Sequence, residues 1–229
     1  MNSESPELNG AITSAIGVLD LQGGVSEHID HLERLGIRGI RVKKADDFQN
    51  LAGLILPGGE STCMSRLLSI FNLDEMIERH FRRGMKIWGT CAGAILLASS
   101  VVGESPCLRL IDIEIERNSF GSQMDSFTRK AHIPGMMSEA ASLTFIRAPK
   151  IKKVGPDVSI LLQIDDYIAA AESPEILVTI FHPELTGCLD FHRYFTRKCH
   201  LKPRNELKTT IDPSWNNTSW TRLARIGRG

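Results

Sequence analysis

The stretch KIWGTCAGAILL, residues 86–97, contains the two signals that decide the fold. Residues 86–88 predict a short buried strand, and residues 94–100 are rich in helix formers. Between them lies GTCAG, residues 89–93, whose small side chains permit a sharp change of chain direction. The stretch therefore predicts a strand, a tight turn and a helix, with Cys91 at the turn.

The same alternation of strand and helix precedes this stretch. Apolar runs at 15–21, 38–42 and 53–56 predict strands, and helical spacing predicts helices over 25–35, ended by Gly36, and over 61–83, as one or two helices around Asn72. Strands that alternate with helices favour a mostly parallel sheet that is covered on both faces.

The second half of the chain has a different pattern. Residues 108–116 alternate apolar and charged side chains, which indicates a half-exposed strand. Further strand candidates lie at 143–146, 158–164, 167–171 and 176–181, several of them close enough to pair as hairpins. A helix over 188–199 would complete the domain. We therefore expect a mixed sheet here.

Composition narrows the class of protein. The 229 residues include 27 basic and 27 acidic side chains, so no overall charge favours nucleic acid or membrane surfaces. Five cysteines without a C-x-x-C spacing suggest neither a disulfide framework nor a zinc ribbon, and no metal is expected. The first ten residues lack the pattern of a secretory signal, and no apolar run is long enough for a membrane helix. We expect a cytoplasmic protein.

Cys91 is the candidate nucleophile. A sharp strand-to-helix turn projects its side chain, and the amides at the start of the next helix favour negative charge on the sulfur. The alternative is a buried small hydrophobic residue, the usual role of an intracellular cysteine. The other four cysteines are assigned that role, whereas the glycines around Cys91 favour a function.

A candidate base follows the strand at 176–181. In Phe181-His182-Pro183-Glu184, extended residues two apart would face the same side, so Glu184 could orient the His182 imidazole. The other six histidines are interpreted as surface or hydrogen-bonded core residues. His28 and His31 have a spacing that could bind a metal on a helix, but no carboxylate or cysteine cluster accompanies them.

The third motif is LPGGEST, residues 56–62, a Gly-Gly turn between a strand and a helix. Such a turn exposes backbone amides that could bind an oxyanion or a phosphate. The turn lacks the lysine of a P-loop, and Glu60 would repel phosphate. The oxyanion interpretation is favoured.

Together these motifs resemble the class I, triad-type glutamine amidotransferases, and specifically the glutaminase subunits of pyridoxal 5'-phosphate synthase. GTCAG and His182-Pro183-Glu184 are shared with the wider superfamily, whereas PGGEST (57–62), RNSFG (117–121) and FIRAP (145–149) are specific. The resemblance covers residues 15–195 or so and implies a three-layer α/β/α sandwich with a mixed, mostly parallel sheet. We expect a domain at 15–199, an N-terminal extension at 1–14 and a basic tail at 200–229, for which disorder and a role in docking both stay open.

The resemblance also implies the site and the partner. It implies a catalytic triad of Cys91, His182 and Glu184, oxyanion donors at Gly59 and Ala92, and a glutamine site formed by Gly59, Glu60, Ser61, Arg117, Ile146 and Arg147. The reaction would convert L-glutamine to L-glutamate and ammonia through a thioester, without a cofactor. The ammonia would pass to a (β/α)8-barrel synthase subunit in a large hetero-oligomer, and docking could complete the oxyanion hole through the Gly58–Gly59 peptide.

Two departures from the family pattern concern loops or partner contacts. Ser122 stands where a basic residue is expected, and residues 163–174 differ from the usual short segment before the histidine. Three alternatives compete with the glutaminase: the same chemistry for another synthase, a stand-alone cysteine hydrolase, and a non-catalytic scaffold. PGGEST and FIRAP argue against another synthase. The acid two residues after His182 argues against a stand-alone hydrolase, and the intact triad argues against a scaffold.

Overall fold

A computed structural model describes residues 14–117 and 126–203. Most of the expected N-terminal extension, the RNSFG motif beyond Arg117, Ser122 and the tail from residue 204 lie outside the described residues. Five α-helices occur in the described ranges: α1 (Val25–Arg34), α2 (Ser61–Ile70), α3 (Leu73–Arg82), α4 (Ala92–Leu97) and α5 (Asp190–Lys198). Short 3-10 helices span Ala45–Phe48 and Pro183–Leu185.

The described strands form a ten-stranded sheet and a separate hairpin. In chain order they are β1 (Ala15–Leu19), β2 (Gly39–Val42), β3 (Leu51–Leu56), β4 (Lys86–Thr90), β5 (Ala98–Val101), β6 (Ile111–Glu116), β7 (Ser126–Ala131), β8 (Ala141–Ile146), β9 (Lys150–Val154), β10 (Ser159–Ile164), β11 (Tyr167–Glu172) and β12 (Ile176–Thr179). The main sheet has the order β2-β1-β3-β4-β12-β11-β9-β6-β5, β10 pairs with β11, and β7 pairs with β8. Among the described pairings of the main sheet, five are parallel and four antiparallel, so the expected mixed, mostly parallel sheet is confirmed.

Helices cover both faces of this sheet, as expected for three layers. Trp88 and its neighbour Gly89 point to opposite faces because adjacent strand residues alternate. The Trp88 ring lies 5.6 Å from the Phe195 ring of α5. At Gly89 an added Cβ would lie only 2.6 Å from the Gly93 backbone of α4. The tight packing of α4 therefore depends on small residues on both elements.

The register brings three loops to one edge of the sheet. Strand β4 pairs in parallel with β12, with Thr90 opposite Thr179, and with β3, with Gly89 opposite Leu56. Parallel strands end at the same edge, which is where open α/β sheets bind their ligands. The loops that follow β3, β4 and β12 carry the Gly-Gly turn, Cys91 and His182.

Several sequence-based boundaries are wrong. The helix predicted over 94–100 ends at Leu97, because Ala98 pairs with Ile111 and begins β5. Strands β7 and β9 were not predicted, since their sequences SFTRKA and KIKKV contain too few apolar residues for a buried strand. The last helix begins at Asp190 rather than residue 188. Asn72 divides residues 61–83 into two helices, as one alternative predicted, and adopts a left-handed conformation with φ 54°.

Within residues 14–117 and 126–203, no helix is both long and apolar enough to span a bilayer.

Candidate active site

Cys91 lies at the turn between β4 and α4, as the sequence predicts. Its backbone has φ 49° and ψ −104°, a conformation that costs a non-glycine residue on the order of 1–3 kcal/mol. The Cys91 N–H donates to the Thr179 carbonyl over 2.8 Å, which ties the turn to β12. Its Sγ lies 3.9 Å from the Ile146 carbonyl at the end of β8. Parallel pairing of β4 with β12 thus fixes a strained residue at the sheet edge.

His182 and Glu184 form a buried pair beside this turn. His182 Nδ1 lies 2.8 Å from Glu184 Oε1, and the two side chains are 1% and 0% exposed. The expected geometry is wrong, because Pro183–Leu185 forms a 3-10 helix rather than extended chain. The side chains meet across this tight turn, and the His182 N–H donates to the Thr144 carbonyl of β8. The hairpin formed by β7 and β8 therefore helps to hold the histidine.

The charges of this pair depend on their mutual contact. Burial alone would lower the pKa of His182, but Glu184 and Cys91 outweigh it and raise that pKa to about 10. Burial would raise the pKa of Glu184, but His28 and His182 outweigh it and lower that pKa. At neutral pH the pair is therefore an imidazolium and a carboxylate, and each compensates the buried charge of the other.

Two glycines form the walls around this pair. A Cβ added at Gly58 would lie 2.2 Å from His182 Cε1, which is far inside contact distance. A Cβ added at Gly24 would lie 2.9 Å from Glu184 Oε1. Backbone therefore packs directly against both side chains, and no larger residue fits at either position without displacing them.

The Gly-Gly turn and Arg117 form a charged rim on the exposed side. Glu60 caps α2 by accepting from the N–H groups of Thr62 (3.0 Å) and Cys63 (2.7 Å). Burial is the largest single influence on the Glu60 pKa and would raise it, but the hydrogen bonds from Cys63 and Thr62 and the charge of Arg117 together outweigh burial and lower the pKa. Arg117 Nη2 lies 3.3 Å from Glu60, and its Nη1 lies 2.6 Å from Glu104. Two carboxylates thus share one guanidinium.

The remaining predicted residues differ in position and in exposure. Ala92 is the first residue of α4, Ser61 is the buried first residue of α2, and Ile146 is half-buried. Gln22, which the sequence analysis did not select, accepts from the Glu60 N–H over 3.4 Å and so touches the Gly-Gly turn. Arg147 is exposed with φ 41°. Among the described residues, no hydrogen bond or ion pair joins Arg147 to Cys91, His182 or Glu184.

A second group that the sequence analysis missed lies beneath Glu184. His28 and His31 of α1 and His192 of α5 are at most 3% exposed. Of the two interpretations left open for them, surface residues or hydrogen-bonded core residues, the second is confirmed, but their proximity to Glu184 was not predicted. The sequence feature that could have indicated a buried His28 is the apolar face of α1, where His28 occupies a buried position beside Val25 and Leu32. Ile29 of the same helix is only half-buried.

No group of three or more potential ligands that could hold a metal ion occurs within residues 14–117 and 126–203. His28 and His31 instead contact protein groups. His28 Nδ1 lies 2.8 Å from His192 Nε2, and the two nitrogens of His31 face the carbonyls of Glu27 and Thr186. Their spacing along α1 places both rings in the core of the domain.

Known glutamine amidotransferases resemble this chain in sequence and in fold. The sequence profile of the SNO glutamine amidotransferase family matches residues 18–201. A pyridoxal 5'-phosphate synthase subunit PdxT from Syntrophus aciditrophicus (strain SB) is 60% identical over 213 residues, which are 92% of this chain and 95% of that protein. The PdxT subunit of Clostridium botulinum (strain Loch Maree / Type A3) is 46% identical over 80% of this chain and 96% of its own length.

Solved structures show the same architecture. One described as a crystal structure of glutamine amidotransferase superposes with a TM-score of 0.78 at 36% identity, over 82% of this chain and 100% of that chain. The PurLQS structure from Thermotoga maritima superposes with a TM-score of 0.61 at 18% identity, over 82% of this chain and 98% of the matched chain, which supports the fold alone.

Proposed function

The chain belongs to the SNO glutamine amidotransferase family, and we propose that it hydrolyses L-glutamine with Cys91, His182 and Glu184 as its catalytic triad. The observation that carries this proposal is the strained Cys91 turn beside a buried His182–Glu184 pair 2.8 Å apart. A nucleophile, a base and a group that orients the base are the parts that acyl transfer requires.

In the first half of the reaction, Cys91 Sγ attacks the side-chain amide carbon of glutamine. The oxygen of the tetrahedral intermediate accepts hydrogen bonds from the backbone N–H groups of Gly59 and Ala92. His182 donates a proton to the amide nitrogen, which leaves as ammonia, and a thioester remains on Cys91.

In the second half, His182 removes a proton from water, which attacks the thioester carbon. Collapse of the intermediate expels the Cys91 thiolate while the water proton stays on His182, and the product acid loses its own proton to solvent and leaves as L-glutamate. Glu184 holds the imidazole in the orientation needed for both transfers and stabilises its positive charge. No step requires a cofactor or a metal.

The glutamine itself is held at the charged rim. Its α-ammonium matches Glu60 and its α-carboxylate matches Arg117, while Gly59, Ser61, Ile146 and Arg147 contribute the rest of the pocket. Because Arg117 contacts Glu104, the substrate carboxylate competes with that side chain for the guanidinium. A charge-assisted bond to arginine can be bidentate, which suits a carboxylate.

The partner is a pyridoxal 5'-phosphate synthase subunit, the assembly named for the PdxT relatives. We infer that this subunit is a (β/α)8 barrel in a large cytoplasmic hetero-oligomer. Ammonia released into water at neutral pH becomes mostly ammonium, which is not nucleophilic, so direct transfer to the synthase preserves its reactivity.

The test is ammonia release from glutamine by the purified chain, alone and mixed with a synthase barrel subunit. Activity that rises on mixing and disappears in Cys91→Ser supports the proposal, including gating by the partner. Full activity of the free chain supports the triad and removes the gating. Near-normal turnover by Cys91→Ser would overturn the triad assignment.

Labelling separates the enzyme from a scaffold. A glutamine-mimicking electrophile should modify Cys91 and spare exposed Cys63, which serves as the internal control. Equal modification of both cysteines, or none at Cys91 in the mixed complex, would favour the non-catalytic alternative.

A further inference from the structure

One oxygen of Glu184 is without a hydrogen bond. Oε1 faces His182, but Oε2 is buried and has no hydrogen-bond partner among the described residues. His28 Nε2 lies 3.5 Å from this oxygen and 3.4 Å from the Thr90 hydroxyl, and the His28 and Glu184 side chains are fully buried. Hydrogen bonds in a site without substrate are often long and shorten when the reaction complex forms. His28 is therefore positioned to donate to the free oxygen of Glu184.

The protons of the neighbouring histidines follow from this contact. A carboxylate can only accept, so a neutral His28 that donates to Glu184 must carry its proton on Nε2. Its Nδ1 is then an acceptor, and it lies 2.8 Å from His192 Nε2. His192 must therefore donate from Nε2, which leaves its Nδ1 as an unprotonated acceptor. That atom is buried in the described ranges with no acceptor near it, so a proton on it would have no hydrogen-bond partner.

Burial keeps this second pair uncharged. It lowers the pKa of His28 to about 4 and that of His192 well below its ordinary value. The titratable groups that face His28 are Glu184, His31 and His182, besides His192. The cluster thus supplies hydrogen bonds to Glu184 at neutral pH without adding a second positive charge next to the His182 imidazolium.

We propose that His28 is a positioning residue for the triad: it donates a hydrogen bond to Glu184 Oε2, and His192 fixes the His28 tautomer that makes this possible. Glu184 Oε2 thereby accepts a hydrogen bond from the neutral His28 ring, and His28 Nδ1 accepts one from the neutral His192 ring. The inference rests on the proposed function, since it assigns Glu184 the task of orienting His182. It extends the triad to a line of five side chains, namely Cys91, His182, Glu184, His28 and His192.

The first experiment compares His28→Leu with His28→Gln in the complex of the chain with its synthase subunit. Leucine removes the donor, and we expect kcat to fall about 10- to 100-fold, the usual range for loss of a supporting contact, with KM within about twofold. Glutamine offers an N–H near the position of Nε2 and should recover most of kcat. The control is Ile29→Ala, on the same helix but packed against Gly39 of β2. It should lower the free energy of unfolding about as much as His28→Leu does and leave kcat unchanged.

The second experiment places His28→Leu in a Glu184→Gln background. If His28 acts through Glu184, its effect on kcat should shrink to less than about twofold there, because the carboxylate it positions is gone. An unchanged factor in both backgrounds would overturn the proposal and leave His28 a packing residue. A His28→Leu enzyme with normal kcat, or a folded His28→Gln enzyme as slow as His28→Leu, would also overturn it.

A readout without turnover separates this inference from the proposed function. NMR titration of the His182 imidazole in the free chain should show a lower pKa in His28→Leu than in Ile29→Ala, because Glu184 is held less firmly against the ring. If glutaminase activity is absent but this difference is present, the proposed function fails and the contact survives. If activity is present and the two titrations agree, only the inference about His28 fails.

Discussion

The buried pair and the charged rim use the same types of side chain under opposite conditions. His182 and Glu184 are 1% and 0% exposed, whereas Arg117, Glu60 and Glu104 are 21%, 46% and 47% exposed. Water screens the charges of the rim, so its ion pairs are weak and can exchange with a substrate. Burial makes the charges of the pair interdependent, so neither can be altered alone. The groups proposed to do the chemistry are thus fixed, and the groups proposed to recognise glutamine remain exchangeable.

The largest effect should come from the buried side. His182→Asn keeps a hydrogen-bonding group near Glu184 but removes the base, and kcat should fall by roughly 10³–10⁴-fold with little change in KM. The measurement is steady-state ammonia release in the synthase complex. Arg82→Gln, which breaks only the exposed pair with Glu78, is the control and should behave as wild type. A loss of less than about tenfold would show that the pair is not the catalytic base and its orienting acid.

The second effect is on stability against pH. The His182 pKa is about 10 against an ordinary 6.5, so stabilisation by Glu184 is complete below pH 6.5 and is lost as pH rises towards 10. His28 has the opposite shift, to about 4, so the folded state also loses stability as pH falls from 6.5 towards 4. The free energy of unfolding, measured by urea denaturation, should therefore peak near neutral pH.

The two slopes of that curve can be separated by variants. His182→Asn should flatten the alkaline slope and leave the acid slope, whereas His28→Gln should weaken the acid slope. Glu104→Gln should leave the alkaline slope of the free energy of unfolding unchanged, because that carboxylate belongs to the exposed rim. A changed slope in this variant would contradict the difference between the buried pair and the rim.

Recognition of glutamine should show a smaller effect. Arg117→Gln removes the cation proposed to bind the substrate carboxylate, and KM should rise by about 10- to 100-fold, as expected for loss of a charged hydrogen bond. The kcat at saturation should change little. Competition by L-glutamate, which shares the α-carboxylate, should weaken in parallel; an unchanged inhibition constant would place that carboxylate elsewhere.

The smallest effect should come from Glu104, which occupies Arg117 in the absence of substrate. Glu104→Gln frees the guanidinium, and KM should fall by no more than about threefold, because exposed ion pairs contribute little. Glu114→Gln, on an exposed strand pair with Lys153, is the matched control. If KM rose in Glu104→Gln, then Glu104 would be part of the glutamine site rather than a competitor for Arg117.

The sequence predicted the sheet, the turn at Cys91 and the proximity of His182 to Glu184, because each depends on local pattern. Apolar runs define β1, β3 and β4 whatever else the chain does, and the small residues around Cys91 are needed by the turn itself. Strands β7 and β9 could not be found in this way, since their stability comes from pairing with β8, β6 and β11 rather than from their own composition.

The hydrogen-bonded histidines could not be predicted for a related reason. His28 and His192 are 164 residues apart in sequence, and only the packing of α1 and α5 on the same face brings them together. Periodicity identifies a buried position on α1 but not the group that it meets there. The proximity of His182 to Glu184 was predicted for an incorrect reason, since a 3-10 turn rather than extended chain joins them.

Gly24 and Gly58 carry no functional group, yet they touch Glu184 and His182 more closely than any side chain could. In a mutational survey scored only by growth without vitamin B6, both positions should be as intolerant as the cysteine. A survey scored by protein abundance should be far more permissive at the two glycines. Substitutions at the two glycines would thus give the same growth defect as substitutions of catalytic residues. A growth screen alone would therefore classify these positions as catalytic, although what the site needs there is the absence of a side chain.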